Sequence, residues 1–171
     1  MNRSVMTMIA ACMVTAALSG APTSVRAASA DEAKIRALEG RFAAAFIAKD
    51  LDGIMKCYVP DESLVVFDVV PPRQYVGAKA YRKDWADFLG SFNGPVKFEI
   101  SDLSVAADAT MGFGHSIQHV TGTDTKGQPV DLTVRVTDAY RKIKGNWLVV
   151  HEHVSVPVDL DTGKPDLSSK P

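Results

Sequence analysis

The sequence predicts an α+β fold: three helices packed on one face of a strongly curved antiparallel sheet, in a single domain. Three observations lead there. Apolar residues recur at helical spacing through the first half of the chain. Long β-branched runs take over from Pro95 onward. No shift in composition and no internal repeat marks a second domain between them. Helices gathered on one side of a curved sheet leave an apolar hollow where a ligand would sit.

The first residues read as a leader. Asn2 and Arg3 begin a run, "VMTMIAACMVTAAL", that is apolar but short, and "VRAAS" offers small residues for cleavage. This is the pattern of a secretory signal peptide over 1–27. Cys12 follows "IAA" as in a lipoprotein box, but the apolar run continues past it, so lipidation is not expected. The reading places the protein in the periplasm or outside the cell, with no membrane attachment after cleavage. The domain is then expected over 28–157, with an extended tail at 158–171.

The first helix opens on "SADE", where Ser29 and Glu32 have capping-box spacing. Ile35, Leu38, Phe42 and Phe46 form its buried stripe. "LDGIMKCYV" reads as a short second helix stopped by Pro60, and "SLVVFDVV" as a strand ended by Pro71 and Pro72. A third helix after Gly77 carries Tyr81, Trp85, Phe88 and Phe92 on one side. Four strands follow at about 96–105, 110–121, 130–142 and 147–156.

Charge narrows the partners. The chain has 19 basic and 20 acidic residues, and loss of Arg3 and Arg26 leaves a mature chain near −3. Without a basic patch, nucleic acid is not an expected partner. Cys57 is the one cysteine left after cleavage, so no intrachain disulfide can form, and it reads as a small buried thiol.

The last two strands decide which residues face the hollow. A three-residue loop, Ile143-Lys144-Gly145, sets Asp138 opposite Val150 and Val136 opposite Glu152. One face then carries Arg135, Thr137, Trp147, His151 and His153. The other carries Val134, Val136, Val150 and Val154, with Asp138 and Glu152 among them on diagonal positions. Burying the valine face is favoured, at roughly 1.5–3 kcal/mol per large aliphatic side chain. Two carboxyls among valines hold protons more tightly than in water, as a general acid or base at neutral pH must. His115 is expected inward with Met111, Phe113 and Ile117. His151 and His153 fall short of a metal-ligand set and read as an outer sheet surface, covered in a homodimer that Trp147 would help to form.

The segments "AKDLDGIMKCYVPDESLVVFD" and "GNWLVVHEHVS", in that order, resemble the nuclear transport factor two-like superfamily, which includes ketosteroid isomerases, scytalone dehydratase, SnoaL-like polyketide cyclases and the calcium/calmodulin-dependent kinase association domain. The likeness spans nearly all of the mature chain and implies the cone-shaped, cystatin-like sheet. By the resemblance, "FDVVPPRQYVG" places the isomerases' proton-shuttling aspartate on Asp68. Their protonated second aspartate falls near Asp138. Their oxyanion tyrosine falls on Phe42, which lacks the hydroxyl. The basic pocket residues of the kinase association domain are replaced by His115, Asp138 and Val154. The ending looks most like SnoaL-like proteins.

Two functions fit these residues. The first is an exported enzyme of proton-transfer type, acting as an isomerase, dehydratase, cyclase or hydrolase on a small apolar or carbonyl-containing ligand. Asp68 would be the base, His115, Asp138 and Glu152 its donors, and Phe42, Tyr58, Phe67, Trp85 and Val154 the pocket. No cofactor is implied, since neither a phosphate loop nor a metal-ligand set is present. The second is a dimeric module that binds a ligand or assembles without catalysis.

Overall fold

The structure, a computed structural model, describes residues 29–169. The expected leader at 1–27 lies outside the described residues. Helix α1 spans Ala30–Ile47, α2 Leu51–Met55 and α3 Ala78–Gly90. The strands are β1 Val65–Phe67, β2 Tyr75–Val76, β3 Lys97–Ala107, β4 Met111–Thr123, β5 Pro129–Ile143 and β6 Asn146–Ser155. They form one sheet in the order β2-β1-β6-β5-β4-β3, antiparallel throughout except where β1 runs parallel to β6. No helix among the described residues is long and apolar enough to cross a membrane.

Local chemistry sets the helices. The Ser29 hydroxyl accepts from the Glu32 amide at 3.1 Å while Glu32 Oε2 accepts from the Ser29 amide at 2.9 Å, the reciprocal cap expected for α1. Asp50 caps α2 by accepting from the Gly53 amide at 2.9 Å. The stripe of Ile35, Leu38, Phe42 and Phe46 is buried as expected.

The β4 expectation is inverted. Gly114, Ser116, Gln118 and Val120 face inward, while Met111, Phe113 and His115 are exposed. The reason is space. A Cβ on Gly112 would meet Ile35 Cδ1 at 2.6 Å, and one on Gly114 would meet Tyr140 Oη at 3.0 Å. Small residues let α1 settle on the sheet, and that requirement outranks the apolarity of the opposite face. Gly112→Val is therefore expected to cost about 1–3 kcal/mol through overpacking, read as a lowered midpoint in thermal or urea unfolding. An unchanged midpoint would count against this close approach.

The β5–β6 hairpin differs from expectation twice. Ile143 pairs with Asn146, so the loop is two residues, Lys144-Gly145, both with positive φ (49° and 84°), as the right-handed strand twist favours. That alone would turn β6 over. A register shift between Tyr140↔Val149 and Ala139↔His151 leaves Val150 as an extra residue and turns it back. Beyond the bulge, Asp138 is directly opposite Glu152 rather than diagonal to it, and both are buried, 3% and 5% exposed. Before the bulge, Trp147 faces inward at 4% exposure, so it lends no support to an outer interface. Its indole N–H donates to Asp31 Oδ1 at 3.1 Å, and Lys142 Nζ lies 2.6 Å from the same oxygen. These bonds fasten the start of α1 to the hairpin.

The tail is ordered into a return. Val158 bridges Pro165, and the Leu167 carbonyl accepts from the Thr133 amide at 2.7 Å, extending the sheet where β6 has ended.

Candidate functional site

A cavity of about 310 Å³ opens between the inner sheet face and α3. Helical periodicity supplies its aromatic walls: Phe42 and Phe46 from α1, and Trp85 and Phe88 from α3. Phe98 of β3 closes the stack, its ring 4.3 Å from that of Phe46. Val120, Val134 and Val154 form the floor. Asp68 enters from the segment after β1, and Glu152 enters from β6.

Glu152 is held by two phenols. Tyr58 Oη donates to its Oε2 at 2.8 Å, and Tyr81 Oη donates to its Oε1. Burial pushes its pKa up to about 7. The two phenols pull the other way, and the negative fields of Asp68 and Glu39 add to the rise. Asp138 stands behind Glu152 and does not line the cavity. Burial raises its pKa well above the ordinary carboxylate range, and the charges of Glu152 and Glu39 raise it further. A hydrogen bond to Glu152 also favours its protonated form. Its Oδ1 is buried and has no hydrogen-bond partner among the described residues.

The buried network continues to the inner face of α1. Tyr140 Oη lies 2.9 Å from Glu39 Oε1 and 3.3 Å from Asp138 Oδ2. One hydroxyl proton cannot serve both acceptors at once. Glu39 is likewise raised, by burial first. Among the described residues none of these three acids has a salt-bridge partner, so the cluster keeps protons where exposed acids would lose them.

Asp68 is only half-buried. Its Oδ1 accepts from the Val69 amide at 2.5 Å. Burial raises its pKa, as does the charge of Asp84, while the Val69 and Val70 amides lower it. Asp84 accepts from Tyr75 Oη at 2.6 Å and is itself raised, by burial first.

The cavity brings together five of the residues expected at the site: Asp68, Glu152, Phe42, Trp85 and Val154. Tyr58 reaches it only through its bond to Glu152. Two expectations are corrected. His115 projects from the outer face because the neighbouring inner positions, Gly112 and Gly114, leave no room for a larger side chain. Phe67 also points outward, its ring 5.0 Å from that of His151 and 5.7 Å from that of His153. Phe67 and Asp68 are consecutive in an extended segment and so take opposite faces. His151 fixes β1 instead, its Nδ1 lying 2.8 Å from the Val65 carbonyl.

Sequence reasoning missed Tyr81, Glu39, Tyr140 and Asp84. Two of these left a signal. Glu39 falls four residues after Ile35 and three before Phe42, inside the apolar stripe, and Tyr140 shares the alternation of Asp138.

A family model described as the SnoaL-like domain matches residues 35–159. No curated protein matches the chain. Among solved structures, an NTF2-like protein of unknown function from Pseudomonas putida is 34% identical, with a TM-score of 0.74 over 83% of this chain and 97% of that one. A nuclear transport factor 2 superfamily protein from Salmonella enterica is 15% identical, with a TM-score of 0.68 over 79% and 96% of the two chains. A ketosteroid isomerase-like protein from Erwinia carotovora is 20% identical, with a TM-score of 0.63 over 74% and 95%. The last two show likeness of fold alone.

Proposed function

The chain belongs to the SnoaL-like domain family, within the nuclear transport factor 2-like superfamily, and from that premise we propose that it is an exported small-molecule enzyme of cofactor-free proton transfer. Its ligand is small and apolar or carbonyl-containing, and the reaction is an isomerisation, dehydration, cyclisation or hydrolysis. The observation that carries this reading is the pairing, on one apolar cavity, of a half-buried carboxylate, Asp68, with a carboxyl that titrates at about 7, Glu152. A carboxylate base beside a carboxyl that keeps its proton to near neutrality gives the cavity both partners of a proton transfer. Asp68 takes the substrate proton. Glu152 supplies or holds the second proton, oriented by Tyr58 and Tyr81. Asp138 acts through Glu152 as a positioning residue, and His115 has no part.

A ligand screen on wild type and Asp68→Asn, read by thermal shift and by turnover, tests this. Ligands that stabilise both proteins but are turned over only by wild type support Asp68 as base. An identical response from the two proteins removes Asp68 from any role. Stabilisation with turnover by neither supports the second reading, a non-catalytic binding module. Phe42 favours that second reading, because it offers the cavity no hydroxyl donor.

The homodimer is proposed on the outer sheet face, where Met111 and Phe113 are 42% and 51% exposed and Phe67 lies across the sheet. Phe113→Asp is then expected to leave a monomer in sedimentation velocity while wild type sediments as a dimer. A monomeric wild type would end this proposal.

A further inference from the structure

We propose that the ligand of this cavity is an apolar organic cation, a small molecule with an ammonium or similar positive group on an aromatic or aliphatic body. The inference rests on the reading of the cavity as the ligand site and narrows its chemistry. Among the described residues, four that line the cavity are acidic, Asp68, Asp84, Asp87 and Glu152, and none is Lys, Arg or His. Asp87 is matched by Lys83 at 2.5 Å. The other three are hydrogen-bonded by phenols and backbone amides, with the carboxyl of Asp138 behind Glu152 and the charge of Lys83 as a smaller influence on Asp84.

Aromatic rings supply the rest of the recognition. Phe42, Phe46, Trp85, Phe88 and Phe98 surround the space, and the negative face of each ring attracts a cation once both are out of water. An anion placed there at pH 8, where Glu152 has lost its proton, would face three carboxylates across a poorly screened gap. A neutral ligand would bury the acids further and leave their mutual repulsion in place. A cation relieves that repulsion while its body fills the apolar volume. The cavity, at about 310 Å³, has room for a single-ring amine and sits at the small end of the roughly 300–1,000 Å³ of ligand pockets.

The groups that set the charge are identifiable. Glu152 is faced by Tyr58 from the end of α2, Tyr81 from α3, Asp138 from β5, Asp68 after β1 and Glu39 from α1. Asp68 is faced by Asp84 and the Val69 and Val70 amides, and Asp84 by Tyr75, Asp87 and Lys83. No fixed positive charge stands against Glu152 or Asp68 among these groups. The cavity therefore becomes more negative as pH rises, and a ligand of constant positive charge binds better.

Three probes of similar shape test the inference on the intact protein at pH 8: benzyltrimethylammonium, its neutral carbon analogue neopentylbenzene, and phenylacetate. Calorimetry gives affinity, and the indole N–H resonance of Trp85, buried and without a partner among the described residues, reports occupancy. The ammonium is expected to bind at least about tenfold more tightly than the neutral probe, consistent with a desolvated cation–π contact. Phenylacetate is expected to give no response, and lowering the pH to 5.5 to weaken the ammonium several-fold. Asp68→Asn with Asp84→Asn is expected to bring the ammonium and the neutral probe within about twofold. Equal or tighter binding of neopentylbenzene or phenylacetate would overturn the cation preference and leave the cavity standing as a ligand site. If neither these probes nor any compound of the ligand screen shifts Trp85, both readings fall together.

Discussion

Raising the pH from 5 to 8 is expected to lower the folding stability of this protein by about 3 kcal/mol through Glu152 alone, and Glu152→Gln to restore most of that loss. In the unfolded chain a glutamate releases its proton near pH 4.5, whereas in the fold Glu152 keeps it to about pH 7. Across that window the native state binds more protons than the unfolded one, so stability falls as pH rises. At about 1.4 kcal/mol per pH unit, the interval comes to about 3 kcal/mol, a large share of the roughly 5–15 kcal/mol that keeps a domain folded. Asp138 and Glu39, both raised, act in the same direction. Surface acids held below their ordinary range, such as Asp31, Asp108 and Asp159, act oppositely. Their contribution is lost only as pH falls below about 4, outside the measured interval.

Two variants separate the charge from the shape. Gln at 152 keeps an acceptor for one phenol and cannot ionise, so its urea midpoint should match wild type at pH 5 and exceed it at pH 8. Ala at 152 leaves the hydroxyls of Tyr58 and Tyr81 without their acceptor. At pH 5 it should therefore lose about 2–6 kcal/mol against wild type, from roughly 1–3 kcal/mol for each of the two stranded buried groups, and at pH 8 about 3 kcal/mol less than that, because the ionisable carboxyl is gone as well. A wild type whose stability is flat from pH 5 to 8 would mean that Glu152 ionises as it does in water.

The second large effect is on rate. Once a substrate is found, Asp68→Asn is expected to lower kcat by about 10²–10⁴-fold, the usual contribution of a positioned general base, with KM changed far less. Asparagine fits the same space but takes up no proton. Because Asp68 has a raised pKa, replacing it with a neutral amide should leave the thermal midpoint at pH 8 unchanged or higher. That gain distinguishes a lost base from a damaged fold. A kcat reduced in proportion to a lowered midpoint would assign Asp68 a structural role instead.

Much of the fold was legible in sequence because its signals are local. Capping at Ser29, the stripe on α1, the aromatic spacing on α3 and the four long strands all follow from nearest-neighbour rules. What was not legible depends on contacts between distant segments. β2 has two residues, too few for alternation to register. Glycine at 112 and 114 carries no hydrophobic signal, yet it determines which face of β4 the helix covers. In the hairpin, a loop shorter than expected and a bulge at Val150 displaced the register in opposite senses. Glu152 therefore still faces inward while Trp147 changes sides.

The candidate site was legible to the same depth. Asp68 and Glu152 emerge from motif position and strand alternation, and the cavity joins them. The supporting network does not: spacing turns Tyr81, Tyr140 and Glu39 inward, but no spacing rule specifies that three separate elements bring them to the two carboxyls. Among the histidines, His115 departs from expectation by lying on the outer face of β4, whereas His151 and His153 lie on the outer side of β6 as alternation implies.

The central claim is that Glu152 holds its proton to neutrality inside an apolar cavity. Carbon-13 detected NMR titration of the side-chain carboxyls, with Glu152 assigned by its disappearance in Glu152→Gln, measures this directly. A midpoint near 7 for that resonance is the expected result, and a midpoint between 4 and 5 would contradict the account.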